Sequence, residues 1–240
     1  MQSEIIYNDN NESMSKLIEK ANVLCEALPY INALSGKTVV IKYGGNAMQK
    51  DSIINTIMQD IAMLKIVGVN PILVHGGGPE INAYLKKLEI PSKFHNGLRI
   101  TDKDTMEIVQ MVMGGKINKD ITSKLNLLGV KAIGLSGKDA QLIEVEKYNS
   151  PDGVDLGFVG EIININTSLL TKLCNDEFVP VIAGIGTDKN GEAYNINADL
   201  VAAEIASRIG AEKLIFLTDI DGIRKNPEAQ GKSEKSTVLG

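Results

Sequence analysis

Three consecutive glycines after an apolar run constrain this chain more than any other feature. Residues 71–74 predict a short buried strand, and Gly76, Gly77 and Gly78 follow it one residue later. Pro79 then suits the first turn of a helix, where its missing N–H costs nothing. A strand that enters a helix through a bare loop offers exposed backbone N–H groups and a positive helix dipole, and so predicts an anion site. A flexible turn is the alternative, but each glycine loses much conformational entropy on folding.

A second glycine loop follows the preceding predicted strand. Residues 38–42 form a β-branched run that ends with a lysine, and Gly44 and Gly45 come close behind. Apolar residues at helical spacing over 54–64 then lead back to the strand before the first loop. Such a crossover is right-handed with parallel strands, so both loops open at the carboxyl edge of the sheet, where α/β proteins bind ligands. The pattern predicts that Lys42 and the two glycine loops together bind a phosphoryl group.

The remaining patterns extend this into an α/β protein. Thr101 and Asp104 have the spacing of a capping box, Gly114 and Gly115 are expected to interrupt the helix that follows, and Pro29 is expected to end the first helix. The apolar face of that first helix fits equally a helix packed on its own subunit or one between subunits. Strands are predicted at 131–135, 178–183 and 214–218, a hairpin at 142–147 and 158–165, and helices at 15–28, 101–113, 117–128, 167–175 and 200–209.

Composition excludes several classes of protein. The formal charge of -5 argues against non-specific nucleic-acid binding, and 4% aromatic residues without Trp provide no stacking platform. Cys25 and Cys174 lie too far apart in sequence for a disulfide framework or a zinc cluster, which indicates the reducing cytoplasm. His75 and His95 are not paired for metal binding, so no metal site is predicted. No apolar run reaches membrane-spanning length, so we expect no membrane association.

Three polar residues are candidates for the same site, each with a plainer alternative. Arg99 offers a planar fork for a carboxylate, or it forms a surface ion pair. Asp199 precedes a predicted helix and could be only its cap, and Asn195 could be only a turn residue. The G-x-x-x-x-G-K-[ST] loop, the dinucleotide fingerprint and the H-R-D kinase signature are absent from the sequence.

Five segments resemble the motifs of the N-acetylglutamate kinases, a branch of the amino acid kinase family. The lysine with its glycine pair and the Thr-Asp-x-x-Gly element are shared across that wider family, whereas His-Gly-Gly-Gly-Pro together with Asn-Gly-Leu-Arg is much more specific. The resemblance is collinear from about Gly36 onward. The segments are residues 41–48, 74–79, 96–101, 195–199 and 217–222.

The resemblance implies a three-layer αβα fold with a mainly parallel central sheet. It implies ATP-dependent phosphorylation, with Mg²⁺, of the side-chain carboxylate of N-acetyl-L-glutamate to N-acetylglutamyl 5-phosphate, in arginine biosynthesis. It divides the chain into an N-terminal helical extension (1–36), an acceptor-binding lobe (37–211) and the start of a nucleotide-binding lobe (212–240). The first helix resembles the extension of arginine-inhibited members, which implies a homo-oligomer, dimer or hexamer, and L-arginine as a feedback inhibitor.

The resemblance also implies a role for each site residue. Lys42 would stabilise the transferred phosphoryl group, and Asp199 would orient the catalytic lysines. Gly44 and Gly45 would bind phosphate, and the backbone N–H groups of Gly45, Gly77 and Gly78 would donate to the phosphoryl group or the acceptor. The residues implied in binding N-acetyl-L-glutamate are Gly77, Gly78, Arg99 and Asn195. The residues implied in binding the nucleotide are Thr218, Asp219, Asp221 and Gly222.

One family element has no counterpart here. The family carries a second catalytic lysine in a later Gly-Gly-Met-x-x-Lys segment, and this sequence reaches Gly240 without one. We therefore expect a chain shortened at its C-terminus that binds the acceptor but binds MgATP weakly and turns over very slowly. The alternatives are an inactive small-molecule-binding remnant of an amino acid kinase, and a carbamate or aspartate kinase relative, against which residues 96–99 argue.

Overall fold

The computed structural model describes residues 14–44 and 51–218. The helices are α1 (Met14–Leu34), α2 (Asp51–Ile66), α3 (Gly78–Lys87), α4 (Lys103–Val109), α5 (Asn118–Leu127), α6 (Thr167–Asn175) and α7 (Ala198–Ile209). The strands are β1 (Thr38–Tyr43), β2 (Asn70–His75), β3 (Lys93–His95), β4 (Leu98–Ile100), β5 (Lys131–Leu135), β6 (Ile143–Lys147), β7 (Gly160–Ile165), β8 (Phe178–Ala183), β9 (Ile185–Thr187), β10 (Ala193–Asn195) and β11 (Lys213–Leu217).

The central sheet is parallel, as the crossover pattern predicts. It has five strands in the order β11-β1-β2-β8-β5, and each neighbouring pair runs parallel. Strands β1, β2 and β8 are nearly continuous apolar runs with buried residues throughout. Such runs are typical of parallel strands that are covered on both faces.

Alternation along the strands divides the core into two layers of packing. Val39 and Ile41 face one cluster, which contains apolar residues of α2, α3, α4 and α5, whereas Val40 faces the other, which contains residues of α6, α7, β6 and β7. Successive strand residues point to opposite faces, so one strand serves both clusters. The predicted three-layer αβα fold is confirmed.

Two smaller sheets stand beside the central one. The first has the order β10-β9-β6-β7 and contains the predicted hairpin of β6 and β7. The second is the β3–β4 hairpin, whose turn residues Asn96 and Gly97 both have positive φ, 47° and 79°. An Asn-Gly pair is the favoured sequence for such a tight turn. The hairpins β3–β4 and β9–β10 are absent from the sequence prediction, and both carry site residues.

Three local expectations were wrong. Pro29 lies inside α1 rather than after it, because the helix is exposed and water can replace the one backbone bond that proline removes. Asp102, not Thr101, caps α4, and its side chain accepts from the Thr105 N–H at 2.8 Å. Gly114 and Gly115 do not interrupt the helix, since a π-helical segment (Gln110–Ile117) joins α4 to α5 without a break.

Helix α1 differs from every other helix described, because it contributes no buried residue. Its large apolar side chains are open to solvent, including Leu17, Leu24 and Leu28, and Leu24 is 69% exposed. Among the described residues, no helix is long and apolar enough to cross a membrane.

Candidate functional site

The site lies where β1 and β2 end side by side. Lys42 pairs in register with Val74 and Tyr43 with His75, so the two glycine loops leave the sheet at the same level. A cleft of about 280 Å³ opens there. Its lining includes seven predicted site residues, namely Lys42, Gly44, Gly77, Gly78, Arg99, Asn195 and Asp199. The structure therefore brings together these seven predicted residues from distant parts of the chain.

Lys42 and Asp199 form an ion pair at this edge. Lys42 Nζ lies 3.0 Å from Asp199 Oδ1, and the lysine side chain is only 17% exposed. The cap of α7 is Asn197, whose side chain accepts from the Asp199 N–H at 2.7 Å. Asp199 is thus not the cap of its helix, and its carboxylate holds the lysine ammonium beside Gly44.

The glycine loop, residues 76–78, provides the opposite wall. A Cβ at Gly77 would lie 2.8 Å from side-chain atoms of both Met113 and Ile117, so this position is packed tightly from behind. A Cβ at Gly78 would meet nothing within 4 Å. Gly77 is the N-cap of α3 and has no side-chain cap. The first N–H groups of this helix are therefore available to an anion in the cleft.

Arg99 on β4 is a buried cation whose described partners are neutral. Its side chain lies 4.6 Å from the Phe94 ring and donates to Ser92 Oγ at 2.5 Å and to the Gly78 carbonyl at 3.4 Å. Arg99 is only 7% exposed, and burial lowers its pKa. Within residues 14–44 and 51–218 it forms no ion pair, and its burial contradicts the alternative of a surface ion pair. A buried guanidinium that faces a cleft and has no carboxylate partner among the described residues favours an anionic ligand.

Asn195 on β10 is tied to the strand that carries the arginine. Its side-chain amide donates to Thr101 Oγ1 at 3.3 Å, and that hydroxyl donates to the Arg99 carbonyl at 2.8 Å. Isolated bridges between Thr101 and Gly157 and between Val159 and Asn195 connect both strands to the segment before β7. Asn195 is therefore a strand residue that faces the cleft, not a turn residue.

Of the four residues predicted to bind the nucleotide, the structure describes only Thr218. Thr218 directly follows β11, whose last residue, Leu217, pairs with Tyr43 of β1. Thr218 does not line the cleft. Gly45, Asp219, Asp221 and Gly222 lie outside the described residues, as does the remainder of the predicted nucleotide-binding lobe. Among residues 14–44 and 51–218, no group of three or more His, Cys, Asp or Glu residues could hold a metal ion.

Sequence reasoning missed the side chains that support these residues. Phe94 and Ser92 hold Arg99, and Met113 of the π-helical segment packs behind Gly77. The Asn-Gly pair at 96–97 could have located the hairpin that carries Phe94 and Arg99. The π-helical segment has no comparable local sequence signal, although such segments are frequent at functional sites.

The chain has close sequence similarity to two acetylglutamate kinases. It is 59% identical over 216 residues to an acetylglutamate kinase from Caldicellulosiruptor saccharolyticus, covering 89% of this chain and 74% of that protein. It is 51% identical over 226 residues to an acetylglutamate kinase from Sulfurihydrogenibium sp., covering 88% and 76%. These relatives do not favour the carbamate kinase, aspartate kinase or inactive-remnant alternatives.

A solved structure shares the fold, and a family model matches most of the chain. The crystal structure of smu.665 from Streptococcus mutans UA159 superposes with a TM-score of 0.71 at 32% identity, covering 79% of this chain and 75% of that one. The model described as the amino acid kinase family matches residues 37–236. The chain therefore belongs to the amino acid kinase family, as its glycine, arginine and aspartate motifs predicted.

Proposed function

We propose that this chain transfers the γ-phosphoryl group of ATP to the side-chain carboxylate of N-acetyl-L-glutamate and yields N-acetylglutamyl 5-phosphate, a step of arginine biosynthesis. The observation that carries the proposal is the presence of two cationic side chains in the lining of one cleft. Lys42 lies beside Gly44, and the buried Arg99 has no carboxylate partner among the described residues. One charge suits a phosphoryl group, and the other suits a free carboxylate.

The lysine side of the cleft is built for charge that develops during transfer. An oxygen of the acceptor carboxylate attacks the γ-phosphorus, the bond from phosphorus to the bridging oxygen breaks, and ADP leaves with that electron pair. The three outer oxygens carry negative charge throughout, so fixed positive groups lower the barrier more than covalent chemistry does. Lys42 is held in place by Asp199 at 3.0 Å and is poised to supply that charge. The N–H groups of Gly44, Gly77 and Gly78 add donors where no side chain intervenes.

The arginine side of the cleft orients the acceptor. Arg99 keeps guanidinium N–H groups beyond those bonded to Ser92 and Gly78, and its planar fork matches a carboxylate in two parallel hydrogen bonds. Asn195 can donate to or accept from the acetamido group or the second carboxylate, since its amide lines the same cleft. Binding energy from both groups fixes the reacting carboxylate against Lys42.

ATP and Mg²⁺ follow from the kinase family, and the residues present fit the phosphates. The carboxyl edge between β1 and β2 combines a lysine, bare glycine amides and a helix N-terminus, the usual elements of a phosphate cradle. Mg²⁺ neutralises and aligns the phosphate oxygens when it is bound, and it usually needs few protein ligands because it keeps several waters. Thr218, Asp219, Asp221 and Gly222 follow β11 and would bind the nucleotide in our proposal.

Assembly, regulation and location complete the proposal. The exposed apolar face of α1 supports a homo-oligomer in which this helix packs against another subunit. L-Arginine as a feedback inhibitor rests on the resemblance of α1 to the extension of inhibited members. A cytoplasmic location rests on the acidic charge and on two cysteines remote in sequence.

A substrate panel with two detection methods tests the proposed reaction. ADP formation is measured with N-acetyl-L-glutamate, L-glutamate, N-acetyl-L-aspartate, L-aspartate and carbamate, and hydroxylamine traps any acyl phosphate as a hydroxamate. We expect ADP and hydroxamate in equal amounts with N-acetyl-L-glutamate and little of either with the others. Turnover with carbamate or aspartate above that with N-acetyl-L-glutamate would contradict the assignment, as would binding of N-acetyl-L-glutamate without turnover. Addition of L-arginine to the same assay tests inhibition.

A further inference from the structure

A buried pair of polar side chains lies directly behind the glycine loop. His75, the last residue of β2, has no exposed surface, and Asn118, the first residue of α5, is 1% exposed. The Asn118 amide nitrogen lies 3.1 Å from His75 Nε2 and 2.9 Å from the Val181 carbonyl oxygen. His75 Nδ1 lies 2.9 Å from the Gly76 carbonyl oxygen. A buried polar pair in an apolar sheet is costly unless every group is bonded, so its position calls for an explanation.

These contacts fix the protonation of the imidazole ring. The Asn118 amide nitrogen faces the ring and two backbone carbonyls, Val181 at 2.9 Å and Leu135 at 3.3 Å, and because carbonyls only accept, the N–H side of the amide lies toward Nε2. The amide oxygen in turn accepts from Lys119 Nζ at 3.2 Å. His75 Nε2 is therefore the acceptor, and the proton sits on Nδ1 and is donated to the Gly76 carbonyl. Burial lowers the pKa of His75 to about 4, which keeps the ring neutral.

The carbonyl that His75 holds belongs to the peptide that carries the Gly77 N–H. In a planar trans peptide the C=O and the N–H point in opposite directions. A Gly76 carbonyl held against the buried ring therefore turns the Gly77 N–H away from the core and toward the cleft. Glycine has no side chain to restrict this peptide, so an external anchor has to set its orientation.

We propose that His75 and Asn118 are positioning residues that lock the Gly76–Gly77 peptide with its N–H facing the transferred phosphoryl group. The pair connects the loop to β8 through Val181 and to the start of α5, so the loop is held by rigid elements. It touches neither substrate, and it acts through Gly77. The inference rests on the proposed function for its kinetic consequences, while the ring geometry can be measured without them.

Two asparagines of α5 offer a matched comparison. Asn126, like Asn118, bonds from this helix to backbone, since it accepts from the Ala132 N–H at 2.8 Å and donates to the Ala132 carbonyl at 3.2 Å. It lies at the end of α5 far from the cleft.

We expect Asn118→Leu to lower kcat at least about tenfold, because a misplaced donor loses much of its effect. We expect Asn126→Leu to stay within about twofold, with melting temperatures measured for both. A folded Asn118→Leu protein with unchanged kcat would overturn the proposal.

A second variant tests the protonation of the ring, with its melting temperature as the check that it folds. In Asn118→Asp a carboxylate oxygen takes the place of the amide nitrogen, which faces Nε2 and the Val181 and Leu135 carbonyls. Only a ring protonated at Nε2 offers that oxygen a donor, so the doubly protonated ring is favoured and Nδ1–H still holds Gly76. Loss of one proton at higher pH leaves the other on Nε2 beside the carboxylate, and the Gly76 carbonyl is released. Lys119, the described charge that acts on this ring, is present in both proteins. We expect kcat of the variant to fall as the pH rises, on a limb absent from the unmodified chain. Parallel profiles would contradict the positioning role.

The tautomer itself can be observed by nitrogen NMR. The chain has only two histidines, so ¹⁵N-histidine labelling gives two ring systems, and His95→Asn assigns them. We expect the Nδ1–H tautomer for His75 at pH 7. The Nε2–H tautomer would overturn the proposal whatever the activity. If the unmodified chain shows Nδ1–H but no turnover of N-acetyl-L-glutamate, the proposed function fails and the locked peptide stands.

Discussion

The centre of the sheet and its periphery use apolar residues in opposite ways. Strands β1, β2 and β8 bury most of their side chains, and the glycine loops at the carboxyl ends of β1 and β2 line the cleft. Helix α1 buries none, and the edge strand β11 leaves Phe216 46% exposed. Both peripheral elements are nevertheless rich in large apolar residues.

This contrast separates residues that hold the site from residues that meet other surfaces. Chemistry that depends on fixed charges needs side chains whose positions are determined by packing, as are those of Lys42 on β1 and the buried Arg99 on β4. An exposed apolar face contributes little to the fold of its own chain, and contiguous faces of this kind usually mark interaction sites. Substitutions at the centre should therefore impair catalysis or folding, whereas changes in α1 should alter assembly.

Replacement of Lys42 is expected to have the largest effect. Lys42→Ala removes the ammonium held between Asp199 and the glycine loops, and kcat should fall by about two to three orders of magnitude, the scale for one preorganised donor. Lys37→Ala is the matched control, because Lys37 precedes the other end of β1 and pairs with Glu212 on the surface at 3.8 Å. Steady-state kinetics of both variants make the comparison. Equal losses would show that the effect is not specific to the cleft.

The buried His75 should make folding sensitive to acid. Its pKa is about 4 in the folded chain, because burial disfavours the charged ring, against 6.5 for the ordinary side chain. The unfolded chain therefore takes up the proton first as the pH falls from 6.5 toward 4, and the folded state is destabilised over that window. From pH 7 to pH 5 the free energy of unfolding should fall by about 2 kcal/mol more than in His75→Phe. Urea unfolding of both proteins at the two pH values gives the difference, and equal decreases would refute it.

Replacement of Arg99 tests whether this side chain binds the acceptor, N-acetyl-L-glutamate. Lysine keeps the charge but lacks the planar fork, so Arg99→Lys should raise KM for N-acetyl-L-glutamate about tenfold or more and change KM for ATP much less. Arg208→Lys is the control, since Arg208 lies on the surface of α7 and pairs with Glu204 at 2.8 Å. A larger change in the ATP constant would mean that the two substrate pockets are assigned the wrong way round.

The same contrast explains what the sequence could predict. Long apolar strands and glycine runs are local signals, so β1, β2 and the loops that carry Lys42 and Gly77 were recognisable. Strands β3, β4, β9 and β10 have three residues each, too few for an alternating pattern to appear. Their strands were therefore not predicted, and Arg99 and Asn195 were found as candidates from their side chains and from the resemblance. The partnership of His75 with Asn118 joins residues 43 positions apart, and only the fold reveals it.

Removal of most of α1 should have the smallest effect on the fold itself. A deletion of residues 1–30 keeps Leu34, which packs against the core, and takes away Leu17, Leu24 and Leu28, which do not. Because the deleted helix turns bury nothing in this chain, the melting temperature of the isolated subunit should move by only a few degrees. The apolar face should matter to the assembly instead, so light scattering should report a smaller oligomer. Leu24→Glu alone should act in the same direction, since a charge on the face opposes its burial against another subunit. Unchanged mass for both proteins, together with a large drop in melting temperature, would place this face in the fold of its own subunit.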